Sequence, residues 1–274
     1  MITINVDPVA FSIGALDIRW YGIMVVLAVL GVIALAVLEA RRVGMPDEHI
    51  YNIALWAIIG GILVSRLFHV IDKWDYYIAN PRQIIGFEGL TVYGAVLGAL
   101  VAVLIYCWAK KISFWQMADI VAPGAILGQA IGRVGCLLNG CCYGLPTDLP
   151  WGVVYTNPAS YCPLNESFQP TQIYHILWDL IGFGILWSLR RKLEPKGSLF
   201  LLYLAIYAAG DLSIRFVRVG EPFLFGLQQA QLIGIIILVV TVPWLAIRMW
   251  RYRSKQLAPA GRKKVIRTGR NRGA

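Results

Sequence analysis

Seven apolar runs dominate the chain, at roughly 20–38, 50–71, 91–109, 115–138, 171–189, 198–217 and 229–249. About 20 apolar residues in helical form cross the hydrocarbon core of a bilayer. Inside lipid, each backbone polar group must find its partner within the segment, so every run is a predicted helix. Breakers separate the runs: Gly44-Met45-Pro46, Asn80-Pro81, Asn157-Pro158 and Glu194-Pro195-Lys196-Gly197. The pattern predicts an all-α integral membrane protein with seven transmembrane helices. A loop of roughly 30 residues joins the fourth helix to the fifth, a length that often carries function.

Composition agrees with that pattern. Of 274 residues, 58% are hydrophobic and 15% charged, against about 45–50% and about 25% in soluble domains. A chain of this size cannot hide the excess in a core and still present a wettable surface. A secreted disulfide scaffold, a disordered tail protein and a cytosolic enzyme are thereby excluded.

Charge sets the orientation. With the C-terminus inside, the inner segments hold Arg41, Arg42, Lys110, Lys111, Arg190, Arg191, Lys192, Lys196, Arg248 and the basic residues of 251–274. That is 18 of the 25 lysines and arginines. The outer segments hold only Arg19, Lys73 and Arg82. The asymmetry predicts N-out/C-in. Residues 1–19 then form an external arm, 20–250 a seven-helix membrane domain, and 251–274 a basic cytoplasmic tail expected to be disordered. The tail has nine basic residues and no acid, which suits anionic lipid. No recognition pattern accompanies those charges, so nucleic acid is not an expected partner. The first basic residue is Arg19, so the first helix is expected to be an uncleaved span.

Four cations remain: Arg66, Arg133, Arg215 and Arg218. All fall within or at the outer ends of spans. Charge inside a bilayer is costly and usually faces a cavity or a partner. Each one alone is explained by snorkelling to the headgroups. Four at similar depth on three helices point to a shared anionic site. The guanidinium fork matches phosphate, and a phosphate at that depth is most simply a phospholipid. Asp211, Arg215 and Arg218 fall at i, i+4 and i+7 and share a face. Asp211 is expected to pair with Arg215, leaving Arg218 more available. Gly124, Gly128 and Gly132, and likewise Gly94 and Gly98, have the spacing that lets membrane helices approach closely.

Among the cysteines, Cys107 is expected to be inert packing. Either Cys141 or Cys142 is a candidate disulfide partner for Cys162 on an oxidising external face. No histidine lies in that loop, and His49, His69 and His175 are scattered, so no metal site is expected.

The stretch Gly132-Arg133-Val134-Gly135-Cys136-Leu137-Leu138-Asn139-Gly140-Cys141-Cys142-Tyr143-Gly144 is the most distinctive in the chain. It resembles the signature of the prolipoprotein diacylglyceryl transferase family. Other segments agree in order: Arg19-Trp20-Tyr21-Gly22, Gly60-Gly61 with Ser65-Arg66-Leu67, Gly89-Leu90-Thr91-Val92-Tyr93-Gly94-Ala95, and Gln169-Pro170-Thr171-Gln172-Ile173-Tyr174. Tyr207 to Arg218 and Gln231-Leu232 fill the last two helices. The resemblance runs from residue 11 to 249.

The resemblance implies a reaction. Phosphatidylglycerol donates its diacylglyceryl group to the lipobox cysteine thiol of a preprolipoprotein, beside the signal-peptide region, at the bacterial cytoplasmic (inner) membrane. Glycerol phosphate leaves, and no cofactor is implied. Arg133, Tyr93, Asn139, Asp211 and Arg215 are implied as catalytic. Arg66, Arg218, Tyr21, Gly140, Gln172 and Tyr174 are implied as substrate-binding. Three departures accompany the resemblance. A frequent histidine is Tyr93 here. The signature's usual Asn and Glu are Cys136 and Cys141. The usual Arg and Glu four residues apart are Asp211 and Arg215. A catalytically silent phospholipid-binding relative or assembly partner is the alternative; an anion channel fits poorly, because the arginines cluster at one depth.

Overall fold

The computed structural model describes residues 1–14, 16–84 and 91–257. Gly89 and Leu90 of the third run's motif, and residues 258–274 of the tail, lie outside the described residues. The described residues form eight α-helices: α1 (Trp20–Arg42), α2 (Asp47–Asp72), the short α3 (Trp74–Ala79), α4 (Val92–Ala109), α5 (Phe114–Asn139), α6 (Thr171–Leu189), α7 (Ser198–Arg215) and α8 (Gln229–Leu257). Five of them, α1, α2, α5, α7 and α8, are long and apolar enough to cross a membrane, and α4 is a shorter apolar helix. Polar Gln172, His175 and Asp179 interrupt α6, and all three are buried. Large apolar side chains such as Leu27, Leu30, Leu63, Ile105, Ile181 and Val239 point outward and exposed, as a lipid-facing surface requires.

Small residues set the packing. Where lipid removes the hydrophobic drive between helices, close backbone approach supplies contact. A Cβ on Gly124 would stand 3.0 Å from the Val32 carbonyl oxygen, fixing α5 on α1. A Cβ on Gly94 would stand 2.7 Å from the Ser65 Cα, fixing α4 on α2. Ser65 Oγ donates to the Thr91 carbonyl (2.8 Å) and Thr91 Oγ1 to the Ser65 carbonyl (3.1 Å), a reciprocal clasp between α2 and the start of α4. At the end of α1 away from Trp20, buried Glu39 accepts from Arg42 Nε (2.7 Å) and Arg190 Nε (2.8 Å). On α5, Asp119 Oδ1 accepts from the Phe200 N–H (2.8 Å) and Oδ2 from the Gly197 N–H (2.5 Å), capping α7.

The all-helical expectation misses a β component. Strands β1 (Ile2–Ile4), β4 (Val153–Tyr155) and β5 (Ser167–Phe168) form one sheet, with β1 parallel to β4. Strands β2 (Val9–Ile13) and β3 (Leu16–Arg19) form a hairpin that runs straight into α1. The long loop is therefore held by the N-terminal arm. Val153, Tyr155, Cys162 and Phe168 make its buried core, and Tyr155 OH donates to the Leu137 carbonyl at 2.9 Å, seating the loop on the end of α5. All five cysteines are free thiols, so neither Cys141 nor Cys142 pairs with Cys162. Helix α8 runs to Leu257, past the proposed start of the tail.

Candidate active site

Helix α5 ends at Gly140, whose φ of 70° is left-handed, a conformation glycine adopts at little cost. A Cβ there would also press on Ser160 Cβ at 3.1 Å. The turn sends the chain through Cys141 and Cys142 across the first turn of α6. There Gln172 Nε2 donates to the Cys141 carbonyl (2.8 Å) and Thr171 Oγ1 to the Cys142 carbonyl (2.6 Å). Gly144 then passes between two segments, with its N–H donating to the Gln169 carbonyl at 2.9 Å, and the Leu145 N–H donates to the Val217 carbonyl at 2.9 Å. These bonds tie the end of α5, the start of α6 and the end of α7 into one polar junction.

Asp211 is the centre of that junction. Its Oδ2 accepts from Arg215 Nε at 2.6 Å. Its Oδ1 lies 3.8 Å from Arg133 Nη2 and 3.8 Å from His175 Nε2. Arg215 also donates from Nη1 to Gln228 Oε1 at 3.2 Å. Gln228 Nε2 donates to the Arg218 carbonyl at 3.2 Å, so the start of α8 steadies the cationic segment. Arg218 Nε is buried and unpartnered among the described residues. Burial pushes the Arg218 guanidinium below its ordinary value; Arg133 and Arg215 push the same way, while Cys142 and Asp211 push back. Three cations thus meet one paired carboxylate. Charge excess of this kind in a poorly solvated junction is suited to a bound anion.

The thiols form a second feature. The Cys136, Cys141 and Cys142 sulfurs all lie within 4.8 Å of one another. Cys142 is drawn below the usual thiol range, first by thiol hydrogen bonds from Cys136 and Cys141 and further by Arg218 and Arg133. Cys141 is pushed up, first by its contact with Cys136, then by Cys142 and by burial.

The sequence-derived residues divide into two groups. Arg133, Asp211, Arg215, Arg218, Gln172, Asn139 and Gly140 gather at the junction. Asn139 is buried, with Oδ1 unpartnered among the described residues. Tyr21, on the first turn of α1, backs onto α5, where a Cβ on Gly135 would meet its Cα at 3.2 Å. Tyr174 turns to the loop and accepts from Trp151 Nε1 at 2.9 Å. Arg66 is directed elsewhere: its Nε donates to the Ile84 carbonyl at 3.0 Å, and its guanidinium lies 5.2 Å from the Tyr77 ring centroid. Tyr93, on the first turn of α4, is 49% exposed and, among the described residues, makes no hydrogen bond to the Asp211 cluster. Sequence reasoning missed His175 and Asp179. Their spacing of four on one face of α6 was the available signal. Both are buried; His175 Nε2 and both Asp179 carboxylate oxygens are unpartnered among the described residues.

Between α1, α2, α4, α5 and α7 lies an apolar cavity of about 380 Å³, lined by residues such as Val32, Ile53, Val103, Met117, Ala125 and Tyr203. Ala125 and Tyr203 each stand eight residues before Arg133 and Asp211 on their helices. At 1.5 Å per residue the near edge of the cavity lies about 12 Å along these helices from the cationic junction.

Comparison with known proteins supplies the remaining evidence. A family model described as "Prolipoprotein diacylglyceryl transferase" matches residues 8–247. A "Phosphatidylglycerol--prolipoprotein diacylglyceryl transferase" of Dehalococcoides mccartyi is 45% identical over 249 residues, covering 90% of this chain and 96% of its own. The protein of that name from Clostridium tetani is 40% identical over 78% of this chain and 86% of its own. That from Staphylococcus xylosus is 33% identical over 95% and 96%.

Proposed function

The chain belongs to the prolipoprotein diacylglyceryl transferase family, and from that premise we propose how its outer junction performs the transfer. The enzyme moves the diacylglyceryl group of phosphatidylglycerol to the lipobox cysteine thiol of a prolipoprotein. The observation that carries the reading is the cluster of Arg133, Arg215 and Arg218 around Asp211, set above an apolar cavity. The phosphodiester sits among the guanidiniums, and the acyl chains run from it toward the cavity.

The thiolate attacks the glycerol carbon that bears the phosphoester oxygen. The carbon–sulfur bond forms, the carbon–oxygen bond breaks, and glycerol phosphate leaves with the electron pair. Charge grows on the leaving phosphate, where Arg133 and Arg218 stabilise it. Arg215 stays paired to Asp211, whose other carboxylate oxygen holds Arg133 and His175 in register. Gln172 orients the turn that borders the phosphate, Asn139 orients a substrate oxygen, and Tyr21 and Tyr174 line the approaches from α1 and the loop. The deprotonation role implied for Tyr93 is not assigned, because its ring is half-exposed on α4, outside the Asp211 cluster.

We further propose seven spans, N-out/C-in, in a bacterial cytoplasmic (inner) membrane. The lysine and arginine asymmetry and the seven helices of 18 or more residues support this. Residues 1–19 form the outer arm, and the basic C-terminal segment lies on anionic lipid of the inner leaflet. The test is complementation of a host depleted of its own transferase. Restored growth with a reporter lipoprotein heavier by one diacylglyceryl group is expected. An unmodified reporter despite normal membrane levels of the protein would overturn the proposal.

A further inference from the structure

Three half-buried or buried sulfurs converge beside the phosphate clamp, and this arrangement asks for more than packing. Cys107 shows what a packing thiol looks like: it is buried in an apolar cluster. Cys136, Cys141 and Cys142 differ from it. Their sulfurs lie within 4.8 Å of one another. The backbone that carries Cys141 and Cys142 is clamped by Gln172 and Thr171. Cys142 is held at φ 62°, a region that costs a non-glycine residue of order 1–3 kcal/mol and persists only where the surroundings over-determine it. Cys136 is buried, while Cys141 and Cys142 are only partly so, which leaves the trio open on one side.

Resting on the transferase reading above, we propose that Cys136, Cys141 and Cys142 bind one thiophilic divalent ion of the zinc class, whose open fourth position takes the substrate's cysteine thiol. Zinc–thiolate bonds of about 2.3 Å put tetrahedral sulfurs roughly 3.8 Å apart, so side-chain adjustments of about 1 Å suffice. Three protein ligands with a fourth position free is the arrangement of reactive rather than structural zinc. A thiol that coordinates such an ion is deprotonated outright, so its proton goes to solvent on binding and no protein base at Tyr93 is required. The bound thiolate sulfur then attacks the glycerol carbon as described, and the phosphate leaves into Arg133 and Arg218. The ion changes no oxidation state, and the fourth position is vacated as the thioether forms.

The test uses the full-length protein purified in detergent, reduced and stripped of metal, with Co²⁺ as a coloured substitute and Zn²⁺ as competitor. One Co²⁺ per chain with tetrahedral thiolate absorption is expected, displaced by Zn²⁺. Cys136→Ser, Cys141→Ser and Cys142→Ser are each expected to weaken binding tenfold or more, whereas Cys107→Ser leaves it intact. Adding a lipobox peptide is expected to raise the sulfur-to-cobalt absorption by one further thiolate; the same peptide with serine in place of cysteine does not. No Co²⁺ binding, binding equal in all four variants, a disulfide within the trio of the active enzyme, or identical spectra with the two peptides would each overturn the inference. Full-rate transfer by the metal-stripped enzyme would also overturn it while leaving the transferase reading intact. A cysteine-dependent spectral change without transfer by any form would instead overturn the transferase reading and leave the ion site standing.

Discussion

Arg215 Nε donates to Asp211 Oδ2 at 2.6 Å, while Arg133 Nη2 stands 3.8 Å from the other oxygen of the same carboxylate. One buried acid on α7 therefore aligns two cations from different helices. Removing either member of a buried pair leaves an uncompensated charge, which costs about 3–5 kcal/mol. Asp211→Ala and Arg215→Ala are each expected to lose stability and rate. The double variant is expected to regain part of the stability lost in Asp211→Ala, because it also removes the Arg215 charge; the Arg133 charge still loses its carboxylate. A double-mutant cycle on melting temperature checks this, and purely additive effects would show that the pair is uncoupled.

Arg133 holds substrate charge in this account. Arg133→Ala is expected to lower the transfer rate by about 100-fold or more with a small change in melting temperature. Arg133→Lys is expected to recover only part of the rate, since it keeps the charge and loses the fork. Steady-state transfer by the purified variants decides the point.

Glu39 supplies the contrast. It is buried and bonded to Arg42 and Arg190, far along α1 from the junction at Tyr21. Glu39→Ala is expected to destabilise the fold by about 3–5 kcal/mol. Transfer per folded molecule is expected to stay at the wild-type level, as read from activity normalised to the folded fraction.

Gly144 has no room for a side chain. A Cβ would lie 2.7 Å from the Gln169 Cβ, the Gln169 carbonyl oxygen and the Val217 carbonyl oxygen. Gly144→Ala is expected to cost about 1–3 kcal/mol by overpacking and to slow transfer, because the same contact positions the Arg218 segment. Thermal melting and transfer rate measured together test both effects.

Much of the helical frame was legible in one dimension, because a lipid-facing helix must be apolar along its length. The first run, read as 20–38, is a helix from Trp20 to Arg42. The Asp211–Arg215 pair was legible for the same local reason: residues four apart on a helix meet. Non-local relationships were not. Strand β1 pairs with β4 across the whole α1–α5 segment, and three-residue strands carry too little periodicity to announce themselves. Arg66 lies on α2, and its Nε and guanidinium turn to the Ile84 carbonyl and the Tyr77 ring. A helix-end turn brings Cys136 to Cys141 and Cys142, a convergence that spacing along the chain does not announce. His175 was passed over as one of three scattered histidines: Asp179 four residues on was visible in sequence, but the carboxylate beside the His175 Nε2 is Asp211 on α7.

Transfer by the purified protein is the most direct measurement of the central claim. The assay supplies phosphatidylglycerol labelled in both its acyl chains and its headgroup, together with a lipobox peptide. The expected result is acyl label on the peptide cysteine in a base-stable thioether and headgroup label released as glycerol phosphate in equal amount, with both lost in Arg133→Ala. Wild-type protein that binds phosphatidylglycerol and leaves the peptide unmodified would contradict the account.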